Sequence, residues 1–148
     1  MAADIVVPDA NVILEYVYNR KYSNQAKRIV TDAINEKILM LAPSLLLDEI
    51  TEVLCGNLAS IEQVKLHFEY LEQLSMQGAM VIVVPNTETR MKAIDIAQIG
   101  HEKAGYPEFG DSLYHAMAVL NNGIFVTNDV KHYSKVKSLG HVSLLSEY

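Results

Sequence analysis

Ile5-Val6-Val7-Pro8-Asp9 is a short β-branched run closed by proline and followed at once by an acid. The pattern returns as Leu39-Met40-Leu41-Ala42-Pro43, as Met80-Val81-Ile82-Val83-Val84-Pro85, and as Ile124-Phe125-Val126-Thr127-Asn128-Asp129, which again ends on an acid. Between these runs lie longer stretches with helical spacing. The clearest is Ala26, Ile29, Val30, Ala33 and Ile34, at i, i+3, i+4, i+7 and i+8. Such alternation argues for βαβ units and a mainly parallel sheet. The expected fold is therefore α/β, a three-layer α-β-α arrangement around a central, mainly parallel sheet of 4–5 strands, formed by one domain over residues 1–148.

The remaining elements follow from local signals. A helix is expected over residues 12–20. Another follows Pro43, capped by Ser44 and carrying Leu47, Ile50, Val53 and Leu54. Ser60-Ile61-Glu62-Gln63 is a capping-box pattern that opens a helix with Val64, Phe68 and Leu71 on its face. Met91, Ile94 and Ala97 mark the core side of a further helix. Residues 100–110, with three glycines and Pro107, read as loop. Asp111 then opens a helix with the stripe Leu113, Ala116, Met117 and Leu120, stopped by Gly123. A short helix over residues 131–137 and a short strand over residues 141–145 complete the pattern.

Composition narrows the class. Of 148 residues, half are apolar and 20% charged, which excludes long-range disorder. Twelve basic residues face 18 acidic ones, for a net charge of -6, so a polycationic nucleic-acid binder is excluded. An enzyme acting on nucleic acid is not, because local distribution matters more than the sum. Cys55 is the single cysteine, so an intrachain disulfide and a cysteine zinc cage are both ruled out. The first residues lack the basic, long apolar pattern of a signal peptide, and no run reaches membrane-span length. A cytoplasmic protein is expected.

Four acids stand out by position. Asp9 and Asp129 fall just past the ends of the first and fourth strands. Glu49 falls in the first turns of the helix after the second strand, and Asp111 at the start of a helix. Each has a plain alternative. Asp9 and Asp111 suit helix N-caps, Glu49 suits a helix first turn, and Asp129 suits a turn. All four nevertheless lie at one end of the expected sheet, where open α/β sheets bind ligands. Converging carboxylates repel, and a hard divalent cation relieves the repulsion. All-oxygen ligation suits Mg²⁺ or Mn²⁺, and phosphodiester hydrolysis is the natural chemistry of such a site.

These residues also carry a family resemblance. Pro8-Asp9-Ala10-Asn11-Val12-Ile13-Leu14 resembles the opening Asp-x-Asn motif of PIN domains. Pro43 to Ile50 resembles their second acidic segment, Phe109 to Ala118 their Asp-opened helix, and Ile124 to Asp129 their closing strand with Thr-x-Asp. The resemblance implies a metal-dependent ribonuclease whose metal-binding and catalytic residues are Asp9, Glu49, Asp111 and Asp129. It implies that Asn11 and Thr127 orient those carboxylates or a water from behind. It also implies an RNA substrate and a likeness to VapC-type toxins of prokaryotic toxin–antitoxin pairs, with a small antitoxin protein as partner. A homodimer is expected from base rates.

Other features admit two readings. Lys131, His132, Lys135 and Lys137 are the densest basic cluster and could hold an RNA backbone beside Asp129, or be a solvated helix face. His115, one turn after Asp111, could contact RNA or tune the site, or simply pack. Tyr16, Tyr18 and Tyr22 suit packing against the next helix. The chain has no P-loop, no dinucleotide fingerprint and no nucleophile elbow, and Gly105 stands where His101-Glu102 would need a second zinc-binding histidine. Two rival functions remain: a catalytically silent PIN-like module that binds RNA or protein, and a phosphotransfer domain with Asp9 as nucleophile. Asn11 argues against the latter, which calls for a second aspartate there.

Overall fold

The computed structural model describes residues 3–57, 60–99 and 105–148. In chain order the strands are β1 (Asp4–Pro8), β2 (Ile38–Pro43), β3 (Met80–Val83), β4 (Ile124–Thr127) and β5 (Val142–Leu144). The helices are α1 (Ala10–Val17), α2 (Ser23–Ile34), α3 (Leu45–Gly56), α4 (Ile61–Met76), α5 (Thr87–Ala97), α6 (Phe109–Leu120) and α7 (Val130–Val136). The strands form one sheet in the order β3-β2-β1-β4-β5. Every pairing is parallel; Val6, for example, lies opposite Met40 on one side and Ile124 on the other.

Successive residues of a strand point to opposite faces of a sheet. Val6 and Val7 of β1 are both buried, as are Met40, Leu41 and Ala42 of β2 and Phe125 and Val126 of β4. Both faces of the sheet centre are therefore covered by helices, as the three-layer expectation requires. Edge strand β3 is different: Val81 and Val83 are exposed.

This strand order sets the position of the site. The chain builds β1, β2 and β3 outward on one side, then crosses back to lay β4 on the other side of β1. The switch point lies between β1 and β4, and a crevice opens there beyond the carboxyl ends of the strands. Asp9 leaves β1 at that point, and its N–H donates to the Val126 carbonyl of β4 at 3.1 Å.

The local signals mostly do what their chemistry suggests. Asp9, not a residue further on, caps α1, so that helix starts at Ala10 and ends at Val17, earlier than the expected 12–20. Ser60 caps α4 by accepting the Gln63 N–H, whereas Ser44 makes no side-chain cap. Helix α6 is buried on nearly every side, from Ser112 through Ala118, because it is wedged between the sheet and α5.

Three expectations need correction. Helix α5 buries Thr89, Ala93 and Ile96, while Met91 and Ile94 are exposed. Apolar residues occur on both sides of this helix, and it is Ala93 and Ile96 that join a buried cluster with Leu113 and Ala116 of α6. Ile34 and Leu120, read as core, are also exposed. Gly123 is needed for a reason other than helix termination. Asn122 carries the left-handed turn after α6, with φ of 52°. A Cβ on Gly123 would stand 2.7 Å from the Ile5 carbonyl oxygen of β1. Of the expected loop, residues 100–104 lie outside the described residues. Among the described residues no helix is long and apolar enough to cross a membrane.

Candidate active site

Asp9 is the most buried of the four acids, at 4% exposure. Its Oδ1 accepts the Val12 N–H at 3.0 Å, and its Oδ2 accepts the Thr127 hydroxyl at 2.6 Å. Asp9 therefore caps α1 and is at the same time held at the switch point by Thr127. Thr127 is buried at the end of β4, and its hydroxyl oxygen also accepts the Asp129 N–H at 3.1 Å. One hydroxyl thus ties Asp9 to the turn that carries Asp129. Asp129 is exposed and caps α7 by accepting the His132 N–H at 3.0 Å.

Glu49 and Asp111 arrive from the helices. Glu49, half-buried in the second turn of α3, accepts the Tyr114 hydroxyl of α6 at 2.6 Å. Asp111 is half-buried in the first turn of α6. The His132 ring approaches it, with Nδ1 3.8 Å from Oδ2. That pair is not an ion pair near neutrality. Burial first, and His115 next, push the His132 pKa down to about 4, so the imidazole is neutral.

The electrostatics tie the four acids together. Burial raises Asp9 to about 6, against the opposing pull of its Thr127 and Val12 hydrogen bonds and with a further push from Glu49. Asp111 is raised to about 7, first by burial and then by the charges of Asp9, Glu108, Asp129 and Glu49. Glu49 is raised by burial and by Glu52 and Glu108, while the Tyr114 hydroxyl bond acts the other way. Among the described residues, no lysine or arginine lies at ion-pair distance from any of them. The acids are close enough to perturb one another and lack a cation to offset the repulsion.

A hard cation fits this donor set, which offers only oxygens. Among the described residues no three acidic, histidine or cysteine side chains stand together in an arrangement that could hold a metal ion. Mg²⁺ does not require such a group, because it keeps several of its waters and takes one or two carboxylates. Asp9, Glu49, Asp111 and Asp129 are the groups that would hold it. An apolar cavity of about 470 Å³, lined by Leu47, Phe68, Leu71, Met80 and Ile82 among others, includes none of the four acids. The cluster is instead a polar rim at the end of the sheet.

The other expected site residues fall into two groups. Thr127 meets Asp9 directly. The Asn11 side chain is exposed, and its backbone N–H, not its amide, helps hold Asp9. Lys131 is exposed beside Asp129, while Lys135 is half-buried and donates to the Tyr106 carbonyl at 3.3 Å. His132 and His115 correct the sequence expectation. They are 3% and 0% exposed, so neither presents a surface to RNA. His115 donates through Nε2 to the Gly140 carbonyl at 2.8 Å and packs near Phe125. Both rings pack against Phe125 of β4, a tertiary contact that the spacing in the sequence does not disclose.

Two residues of the site were missed by sequence reasoning. Glu108, at the foot of α6, adds a fifth negative charge that raises both Asp111 and Glu49. Its position three residues before Asp111 was the available signal. Tyr114 lies three residues after Asp111, on the same helix face. Nothing in the sequence links it to Glu49, 65 residues away.

The chain matches the family model of the PIN domain over residues 6–138. The chain belongs to the PIN-domain family. The family is one of nucleases. No curated protein sequence matches the chain significantly. Solved structures show the same PIN fold at low identity. VapBC2 from Rickettsia felis, bound to a DNA fragment from their promoter, aligns with a TM-score of 0.65 at 15% identity, covering 95% of this chain and 96% of that one. VapBC-1 from nontypeable Haemophilus influenzae gives 0.66 at 14%, covering 96% and 98%. A toxin–antitoxin complex from Klebsiella pneumoniae gives 0.62 at 11%, covering 95% and 97%. The similarity runs over nearly the full length on both sides, so this PIN domain has the size and element order of those toxin–antitoxin chains.

Proposed function

We propose that this PIN domain is a Mg²⁺- or Mn²⁺-dependent endoribonuclease that hydrolyses RNA phosphodiester bonds, and that it serves as the toxin of a prokaryotic toxin–antitoxin pair. The observation that carries the proposal is Asp111: a half-buried acid raised to about 7 by burial and by Asp9, Glu108, Asp129 and Glu49, with no basic partner among the described residues. A purely structural surface has no physical reason to gather uncompensated charge at a topological switch point. A substrate site that takes up a cation does.

When bound, the cation supplies Lewis acidity and offsets the charge that develops on the phosphate oxygens. The residues supply the rest. Thr127 and the α1 N-terminus hold Asp9 in one orientation. Tyr114 holds Glu49, and the α7 cap holds Asp129 at the solvent edge. A carboxylate of the cluster accepts a proton from the attacking water. The water oxygen bonds to phosphorus as the bond to the leaving ribose oxygen breaks, and that oxygen takes up a proton. Lys131 and Lys137 are the exposed residues of the basic cluster, and Lys131, two residues from Asp129, is the nearer of them in sequence to the acids and would meet a neighbouring phosphate.

The toxin role rests on the fold shared with the VapBC structures, whose partners are antitoxins in those proteins. It carries with it a small antitoxin protein, a homodimer and a cytoplasmic setting. The direct test is incubation of the purified protein with mixed cellular RNA. Cleavage is expected with Mn²⁺ or Mg²⁺ and none with excess EDTA. Metal-independent RNA binding without cleavage would replace this reading with that of a silent binding module.

A further inference from the structure

Tyr114 is a side chain of α6 that reaches across to α3. Its ring is 1% exposed and stacks on Phe125, with centroids 5.8 Å apart. Its hydroxyl reaches past the core to donate to Glu49 Oε1 at 2.6 Å. Asp111 and Tyr114 sit three residues apart on α6, so one turn of one helix carries an acid of the cluster and the group that fixes another. Among the described residues, Glu49 Oε2 accepts no hydrogen bond. The tyrosine thus occupies one carboxylate oxygen and leaves the other free for the cluster.

We propose that Tyr114 is a positioning residue: its hydroxyl sets the orientation of Glu49 relative to Asp111, and with it the affinity of the acid cluster for a divalent cation. The inference rests on the metal-dependent reading above. A plainer role is also available, since a buried tyrosine hydroxyl needs some acceptor. The two roles separate in Tyr114→Phe, which keeps the ring and its stacking on Phe125 and removes only the donor.

The experiment is a melting curve at increasing Mn²⁺ for wild type, Tyr114→Phe, Glu49→Gln and the double variant, with RNA cleavage followed in parallel. Tyr16→Phe serves as a control, because it removes a hydroxyl pair with Tyr70 at 3.3 Å on the α1–α4 side. Tyr114→Phe is expected to melt close to wild type without metal. It should need about tenfold more Mn²⁺ for the same upward shift, and its kcat should fall by about tenfold with KM little changed, as for other residues that orient metal-binding carboxylates. In the Glu49→Gln background the same change should have less than about a twofold effect on the Mn²⁺ requirement, since the group it positions is gone. Tyr16→Phe should leave the Mn²⁺ requirement unchanged. An unchanged Mn²⁺ requirement in Tyr114→Phe, beside a wild type that binds Mn²⁺ and cleaves RNA, overturns the positioning role alone. A full tenfold effect persisting in the double variant does the same. A wild type that neither shifts with Mn²⁺ nor cleaves overturns the metal-dependent reading and this inference with it.

Discussion

At pH 8 and without divalent cation, Asp111→Asn is expected to melt about 5 °C higher than the wild-type protein, reversing the usual sign of a substitution at a buried polar site. In the unfolded chain this carboxyl loses its proton near 3.8; in the folded chain it does so only near 7, because of burial first and four neighbouring acids next. Between those values the folded state holds the extra proton, so its contribution to stability falls as the pH rises and is gone once the pH passes the folded value. A shift of about three units corresponds to roughly 4 kcal/mol. Asp111 is 24% exposed, so solvent screening leaves about half of that. In a chain of this length about 2 kcal/mol is some 4–8 °C of melting temperature. Asparagine has the same shape and no charge at any pH. Near pH 5 the advantage should be roughly halved, and it should vanish only below about 3.8, where Asp111 is protonated in the folded and unfolded wild type alike.

The buried histidines act in the opposite sense, and the comparison cancels them. His132, lowered to about 4, and His115, also lowered, stay neutral in the folded protein where the unfolded chain would protonate them. Their contribution is therefore lost as the pH falls below about 6.5. Both variants carry it equally. Melting curves from pH 5 to 8 in EDTA decide the matter. A pH-independent difference, or an Asp111→Asn protein that is less stable at pH 8, would contradict the charge cluster.

The largest effect on activity is expected from Asp9→Asn, a loss of about a hundredfold or more in single-turnover RNA cleavage with the fold retained. Asparagine caps helices as well as aspartate does, so the bond from the Val12 N–H survives. The Thr127 hydroxyl then faces an amide in place of a carboxylate oxygen and can turn to accept from it. What is lost is a full negative charge at the centre of the cluster. A bound cation contributes several kcal/mol to the transition state, and each 1.36 kcal/mol is a factor of ten in rate. Asp48→Asn is the control: Asp48 adjoins Glu49 on α3 but is exposed, and its removal should leave the rate close to wild type. Equal losses in the two variants would mean that overall charge, and not the cluster, sets the rate.

The strands and the end of the sheet that carries the acids were legible because few residue patterns satisfy a parallel sheet. Val6-Val7-Pro8-Asp9 and Val126-Thr127-Asn128-Asp129 each combine a β-branched run with an acid at its carboxyl end, and the topology places the two side by side. The core side of α5 was not legible, because Met91 and Ile94 are as apolar as Ala93 and Ile96. The choice between them is made by tertiary packing, in which Ala93 and Ile96 join a buried cluster with Leu113 and Ala116 of α6. Gly123 has a role set by a backbone 118 residues earlier in the chain, that of Ile5. His115 and His132 show the limit most clearly. Their spacing from Asp111 and Asp129 fits a functional surface, yet both rings are buried against Phe125. The Tyr114–Glu49 bond likewise joins elements whose separation in sequence carries no local signal.

The central claim is that the four carboxylates form a cation site. The most direct test is the melting temperature of wild type and Asp111→Asn across a Mn²⁺ series at pH 7.5. A ligand that binds only the folded state adds about 2.7 kcal/mol at a hundred times its Kd. The account predicts a steady rise in wild type and a flat line in Asp111→Asn, so that the metal-free advantage of the variant is overtaken as Mn²⁺ increases. Parallel rises in the two proteins, or no rise in wild type, would contradict it.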